Sequence, residues 1–144
     1  MWILIVATLC AGLFAGAAIY ITAVEHPARL SGGPEVALRE FAPSYHRATF
    51  MQASLAIAGC VTGLWSAWMR VDAWLVIAAL LLGSVVPFTL FVILPTNNQL
   101  LDPTLEPASP KATGLLIRWG RLHLVRSILS SISLILFLLR LADP

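Results

Sequence analysis

Residues 73–101 read AWLVIAALLLGSVVPFTLFVILPTNNQLL and carry no charged side chain. A helix over that stretch exceeds the roughly 20 apolar residues that cross about 30 Å of hydrocarbon. Residues 1–24 and 48–69 are equally free of charge. With 59% hydrophobic and 11% charged residues, the chain is not composed like a soluble domain; its mean hydropathy is +0.88. The first segment lacks the basic start of a secretory signal, and its apolar run is longer than the roughly 7–15 residues of a signal core. It reads as a mature transmembrane helix.

A fourth segment is weaker by hydropathy. Its uncharged part runs only from Ser127 to Leu139, but the upstream GLLIRWGRLHLVR continues in helical register. The expected fold is therefore all-α: an integral membrane antiparallel four-helix bundle, with two long loops on one side. It forms one domain over residues 1–144, with helices over about 2–24, 45–69, 73–94 and 114–140. The loops are residues 25–44, holding Pro27, SGGP and Pro43, and residues 102–112, holding Pro103, Pro107 and Pro110. Pro95 reads as a helix end. Pro87 frees the Gly83 carbonyl and predicts a kink.

Four spans joined head to tail bring the end of one, the start of two, the end of three and the start of four together. Tyr20, Glu25, His26, Arg29, Tyr45, His46, Arg47, Gln52, Asn97, Asn98, Arg118, Trp119, Arg121, His123 and Arg126 all fall at that end. The opposite end offers Arg70, Asp72, Arg140 and Asp143. At 100° per residue, Trp119, His123, Arg126 and Ser130 share a stripe. Tyr45, Thr49 and Gln52 share another, continued by the small residues Ala56, Gly59 and Gly63, which suit close helix packing. Gly12 and Gly16 do the same on segment one. Cys10 and Cys60 lie at matching depths in apolar sequence and read as small hydrophobes.

With Arg140 at the far interface, Arg126 lies about 21 Å away and about 9 Å inside the near boundary. A cation at that depth needs partners, and Glu25, Tyr20 and Gln52 are the expected ones. His123, His26, Arg126 and Glu25 are the candidate catalytic groups; Tyr20, Tyr45, Arg47, Gln52, Asn97, Arg118 and Trp119 are the candidate substrate-binding groups. Two imidazoles and a carboxylate can hold a non-haem metal such as iron or copper, with His26 and His123 the better-placed ligands, although no pair shows HxxxH or HxH spacing. The cofactor is accordingly either none or such a metal.

The blocks YITAVEHPARL, FAPSYHRATFMQASLA, PFTLFVILPTNNQLL and RWGRLHLVRSILS resemble the anthrone oxygenase-like family of small four-helix membrane proteins, and the likeness covers nearly the whole chain. That family includes fungal anthrone oxygenases, which convert polyketide anthrones to anthraquinones. The resemblance implies an oxygenase-like role and lysine as the frequent residue at His46. It also implies a flat aromatic, anthrone- or quinone-like substrate. For such acidic C–H bonds, His123 or His26 suits the base, Arg126 or Arg47 the oxyanion partner, and Trp119, Tyr20 and Tyr45 the aromatic walls. The alternative is a non-enzymatic membrane protein that binds a lipid headgroup, a quinone or a partner membrane protein. A channel is disfavoured because one such bundle leaves no aqueous path, an objection that only a homo-oligomer would lift. Nucleic acid is not an expected partner. Arg29, Arg39, Arg47, Lys111, Arg118 and Arg121 outnumber Arg70 and Arg140, which predicts a cytoplasmic polar end.

Overall fold

The computed structural model describes residues 1–143, and its regular elements are all helical. Four long helices form the body: α1 (Trp2–Ser31), α2 (Pro34–Arg70), α3 (Ala73–Leu100) and α4 (Pro110–Ala142). Each is long and apolar enough to cross a membrane, and the chain reads as a multi-pass membrane protein. Helices α1 and α3 each pack against both α2 and α4, whereas the diagonal pairs barely touch. Sequential neighbours run antiparallel.

Large apolar side chains cover the outside: Leu9, Leu13, Phe50, Ile57, Phe91 and Ile135 are all exposed. Such a surface suits lipid, whose tails it meets without desolvation cost. Of five tryptophans, Trp2, Trp65, Trp68 and Trp74 are exposed near the end that carries Arg70 and Arg140. That is where an interfacial aromatic belt belongs. The fifth, Trp119, is buried at the other end.

Small residues set the helix spacing. A Cβ on Gly59 would lie 2.5 Å from Leu82 and 3.0 Å from Cys10, and one on Gly63 would lie 2.7 Å from Phe137. Below the middle of the bundle, Leu4, Ala11, Phe14, Leu75, Leu82 and Phe137 form an apolar cluster. Toward the other end, Ile21, Phe41, Ile93, Leu116 and Trp119 form a second one. Cys10 and Cys60 are both free thiols.

Three expectations about local structure need correction. The first connection is not a long loop: residues 26–31 and 34–44 are helical, and only the turn at Gly32–Gly33 interrupts them. Gly33 takes φ 88° there, a left-handed value that glycine reaches without penalty. Pro95 does not end α3, which continues to Leu100. The reason is the same in both places. Each proline follows a π-helical turn, Ile21–Glu25 before Pro27 and Thr89–Ile93 before Pro95. In each turn the hydrogen bond spans five residues, from the His26 N–H to the Ile21 carbonyl and from the Leu94 N–H to the Thr89 carbonyl. That wider register places the proline in the first turn of a fresh helical segment, where a missing N–H costs little. Helix α1 therefore extends past its expected end near residue 24; separately, α2 and α4 open at Pro34 and Pro110, before their expected starts near residues 45 and 114, with proline in the first turn of each. The second connection, residues 101–109, is an irregular loop as expected.

The far end is closed by the α2–α3 connection. Val71 caps α2 in the left-handed region at φ 52°, and the Asp72 N–H donates to the Ala67 carbonyl at 3.1 Å. The Asp72 carboxylate accepts from the Trp74 N–H at 2.9 Å and from Arg140 Nε at 2.7 Å. Burial pushes this carboxyl up, but the bonds from Arg140 and Trp74 outweigh that and hold it below the usual carboxylate range. Two outcomes are expected. Val71→Gly relieves a β-branched residue of left-handed strain of roughly 1–2 kcal/mol, partly offset by glycine's entropy, and should raise the unfolding midpoint in detergent. Asp72→Asn keeps a capping side chain but loses the charge, so it should lower the midpoint at neutral pH. Because the folded-state value is depressed, that stabilisation is present above the ordinary carboxyl value of 3.8 and disappears as pH falls through the lower folded one, where the two melting curves should converge.

Candidate active site

Between the two apolar clusters lies a polar layer, and α4 supplies most of it. Trp119, His123 and Arg126 project from one stripe of α4. The Trp119 and His123 rings stack at 4.8 Å and 26°, as residues four apart on a helix can. Phe41 meets Trp119 edge-on at 5.4 Å, and Tyr45 stacks on Phe41 at 5.8 Å. His26 packs on Trp119 at 5.1 Å. It fits there because residue 120 is glycine: a Cβ would stand 2.6 Å from His26 Nε2.

Arg126 reaches across the bundle diagonal. Its Nη2 donates to Gln52 Oε1 of α2 at 2.5 Å, and its guanidinium lies 5.4 Å from the centre of the Phe14 ring of α1. Glu25 is not its partner. Glu25 instead pairs with Arg29, one helical turn on, and accepts from the Ser44 hydroxyl at 2.8 Å. Arg29 also donates to Ser44 at 3.2 Å and is itself buried. A cation paired inside a membrane protein needs such a neighbour, and the i, i+4 spacing supplies one from the same helix.

His123 is almost fully buried. Its Nδ1 lies 3.0 Å from the Thr22 hydroxyl, which lies 2.8 Å from the Ser127 hydroxyl. Ser127 donates to the Ala18 carbonyl at 3.0 Å. Thr22 sits in the π-helical turn of α1, and such turns often mark functional positions.

These groups enclose a cavity of about 30 Å³ lined by Glu25, Arg29, Phe41, Ser44, Tyr45, Thr49, Gln52, Trp119, His123 and Arg126, among others. Next to it, a crevice of about 90 Å³ runs between α2 and α3, lined by Phe14, Ala53, Ala56, Val85, Val86, Thr89 and Leu90. Thr49, Gln52 and Arg126 belong to both. The crevice is apolar, whereas the inner cavity is polar. Gln52 Nε2 and Arg126 Nε are buried and have no hydrogen-bond partner in the protein, so two donors remain available beside the shared wall.

Not every expected site residue joins this cavity. Tyr20 and Arg47 line an outer groove between α1 and α2, with Glu25 and Ser44 forming the wall between groove and cavity. His46, Asn98, Arg118 and Arg121 are exposed. Asn97 is buried near the end of α3, away from the cavity lining. His26 is buried with both ring nitrogens unpartnered, and it too stands outside the lining. Among the described residues no three His, Cys, Asp or Glu side chains come together to hold a metal ion. Glu25 is engaged by Arg29 and Ser44, so the donor set does not fit a two-histidine, one-carboxylate centre. Sequence reasoning missed Thr22, Phe41, Ser44 and Phe14 at this site. Ser127 was missed as well, although its place four residues after His123 on the same face is a signal that could have found it.

The chain is similar to known proteins. The family model described as anthrone oxygenase matches residues 41–136. An anthrone oxygenase of Pestalotiopsis fici is 30% identical over 109 residues, covering 66% of this chain and 77% of the relative. One from Aspergillus novofumigatus is 30% identical over 115 residues, covering 69% of this chain and 66% of the relative. A third, from Aspergillus fumigatus, is 45% identical over 56 residues, covering 37% and 35%. No solved structure matches the chain. The matched region includes α2 from Phe41 onward, all of α3 and the stripe of α4 that carries Trp119, His123 and Arg126, and the chain belongs to the anthrone oxygenase family.

Proposed function

We propose that this chain is a membrane oxygenase acting on a flat aromatic of the anthrone class, with His123 as the base and Arg126 and Gln52 as the oxyanion partners. One observation carries the reading: a buried imidazole and an arginine with a free donor line the same cavity, and that cavity adjoins an apolar crevice. In the proposed reaction, His123 takes a proton from the substrate methylene and the electron pair stays on carbon. Delocalisation through the rings then puts negative charge on the carbonyl oxygen across the central ring, which the guanidinium and the Gln52 amide stabilise where it develops. Dioxygen accepts the electrons and bonds to that carbon. Loss of water then leaves a carbonyl: the methylene gives up two hydrogens, one oxygen atom stays, and the other departs as water. The aromatic body lies in the crevice, and Trp119 and Tyr45 face its reacting edge.

The polar end is assigned to the cytoplasm. Arg29 is neutralised by Glu25, but the exposed cations Arg39, Arg47, Lys111, Arg118 and Arg121 still outnumber Arg70 and Arg140 opposite.

Three outcomes are expected. Protein in lipid nanodiscs should accelerate oxygen uptake by the synthetic anthrone dithranol above its spontaneous oxidation. His123→Ala should lower that acceleration by about 100-fold or more, and Arg126→Lys, which keeps charge but loses the planar fork, by about 10-fold or more. Wild-type rates in both variants would remove the proposed chemistry and leave binding as the function. Elemental analysis of untagged protein should find iron and copper well below one per chain, with turnover unchanged by chelators; stoichiometric metal lost in both His26→Ala and His123→Ala would overturn the metal-free reading. A reporter active only in the cytoplasm, fused after the last residue, should be silent, and full activity would reverse the topology.

A further inference from the structure

We infer that Thr22 and Ser127 are positioning residues that fix the tautomer of His123, holding its proton on Nδ1 and leaving Nε2 bare toward the cavity. The inference rests on His123 being the base proposed above, but it comes from a separate argument, the count of hydrogens in one chain of contacts between α1 and α4.

Ser127 has one hydroxyl hydrogen and three acceptors near it: the Ala18 carbonyl at 3.0 Å, the His123 carbonyl at 3.4 Å and the Thr22 oxygen at 2.8 Å. If Ser127 donates to Ala18, Thr22 must donate to Ser127. Thr22 has then spent its only hydrogen, so its oxygen accepts, and the hydrogen between Thr22 and His123 must come from Nδ1. All three short contacts become hydrogen bonds. If instead Ser127 donates to Thr22 and Thr22 to Nδ1, the 3.0 Å contact between Ser127 and the Ala18 carbonyl holds no hydrogen, and two oxygens are pressed together without a bond. The first arrangement makes three bonds and the second makes two. At membrane depth, where a half-buried hydroxyl has no water to turn to and each unmade bond is costly, the first wins.

The consequence is chemical. Neutral imidazole carries one proton, so an occupied Nδ1 means an unprotonated Nε2. His123 lines the cavity, and among the described residues no protein group bonds its second nitrogen. In the base step, the substrate C–H bond breaks, its electron pair stays on carbon and the proton goes to Nε2. The imidazolium so formed keeps its Nδ1–H bond to Thr22. The π-helical turn is what carries Thr22 at this point of α1, and α4 contributes both ends of the contact, with Ser127 one turn beyond His123.

The test combines a spectroscopic readout with kinetics. Nitrogen NMR of protein labelled with ¹⁵N-histidine in nanodiscs, with the His123 signal assigned through His123→Gln, should show a protonated Nδ1 and a bare Nε2. Thr22→Val, which is close in shape but lacks the hydroxyl, should shift His123 toward the other tautomer. It should also lower kcat for dithranol by about 10–100-fold, the usual cost of losing an orienting partner, with KM changed little. Thr22→Ser should restore both readouts. A wild-type Nε2–H tautomer overturns the inference, as does Thr22→Val with unchanged tautomer and kcat. If Thr22→Val fails to insert, the wild-type spectrum decides alone. If the tautomer is as stated but His123→Ala retains turnover, the base assignment falls while the positioning by Thr22 stands.

Discussion

A guanidinium in the middle of a four-helix bundle cannot be left alone, and the arrangement around Arg126 follows from that. Its Nη2 bond to Gln52 is a direct polar link between α2 and α4, helices that otherwise scarcely meet. Phe14 of α1 offers a ring face to the same cation, a contact that strengthens as water is removed. Three helices are thus drawn to one point, and the fourth, α3, supplies Val85, Val86, Leu90 and Thr89 there, the Thr89 hydroxyl being taken by the Val85 carbonyl of its own helix. Polarity is therefore lopsided within the layer. The α1–α2–α4 side is hydrogen-bonded, and the α2–α3 side is greasy.

The backbone obeys a second constraint, that carbonyls at membrane depth need donors. Prolines at 27 and 95 would remove them, and two π-helical turns solve the problem at equivalent places in α1 and α3. Both turns then become useful. The first carries Thr22 and Glu25 into the polar layer, and the second carries Thr89 and Leu90 into the crevice wall. Thr89 further satisfies the Val85 carbonyl through its hydroxyl at 2.6 Å. Irregularity in the helices is thus concentrated where the side chains have chemistry to do.

The bundle was legible because charge-free stretches and hydropathy are direct readouts of the bilayer. The stripe of Trp119, His123 and Arg126 was legible too, since 100° per residue places it on one face whatever the fold. Other features depend on distances that sequence does not encode. Thr22 lies in an apolar run and meets His123 across a separation of 101 residues; nothing near it in sequence marks the partnership. Glu25 suggests itself for Arg126 as the nearest available carboxylate, at the end of segment one, yet the competitor Arg29 stands four residues away on the same helix. Local pairing won, as it does when it costs no extra ordering. Pro27 and Pro95 were read as breaks because a proline disfavours helix just before it. That preference holds for a regular α-helix and lapses when a wider turn precedes the proline.

Volume limits where a substrate can lie. The polar cavity, at about 30 Å³, matches the space of about one water molecule, whereas drug-sized ligands occupy pockets of roughly 300–1,000 Å³. A three-ring aromatic therefore cannot enter the polar layer whole. On the proposed reading its outer rings stay in the crevice between α2 and α3, where Ala53 and Ala56 leave room, and the central ring alone reaches the polar layer, with its methylene toward His123 and its oxygen toward Arg126 and Gln52. A crevice of about 90 Å³ is still too small for the full ring system, so α2 and α3 must part on binding. The partner most able to move is α3 above Pro87, because a proline and a π-helical turn follow each other there and the usual ladder of hydrogen bonds is already broken. The Arg126–Gln52 bond ties α2 to α4, so opening at the α3 side leaves that bond intact. The polar half of the site is held fixed, and the apolar half yields.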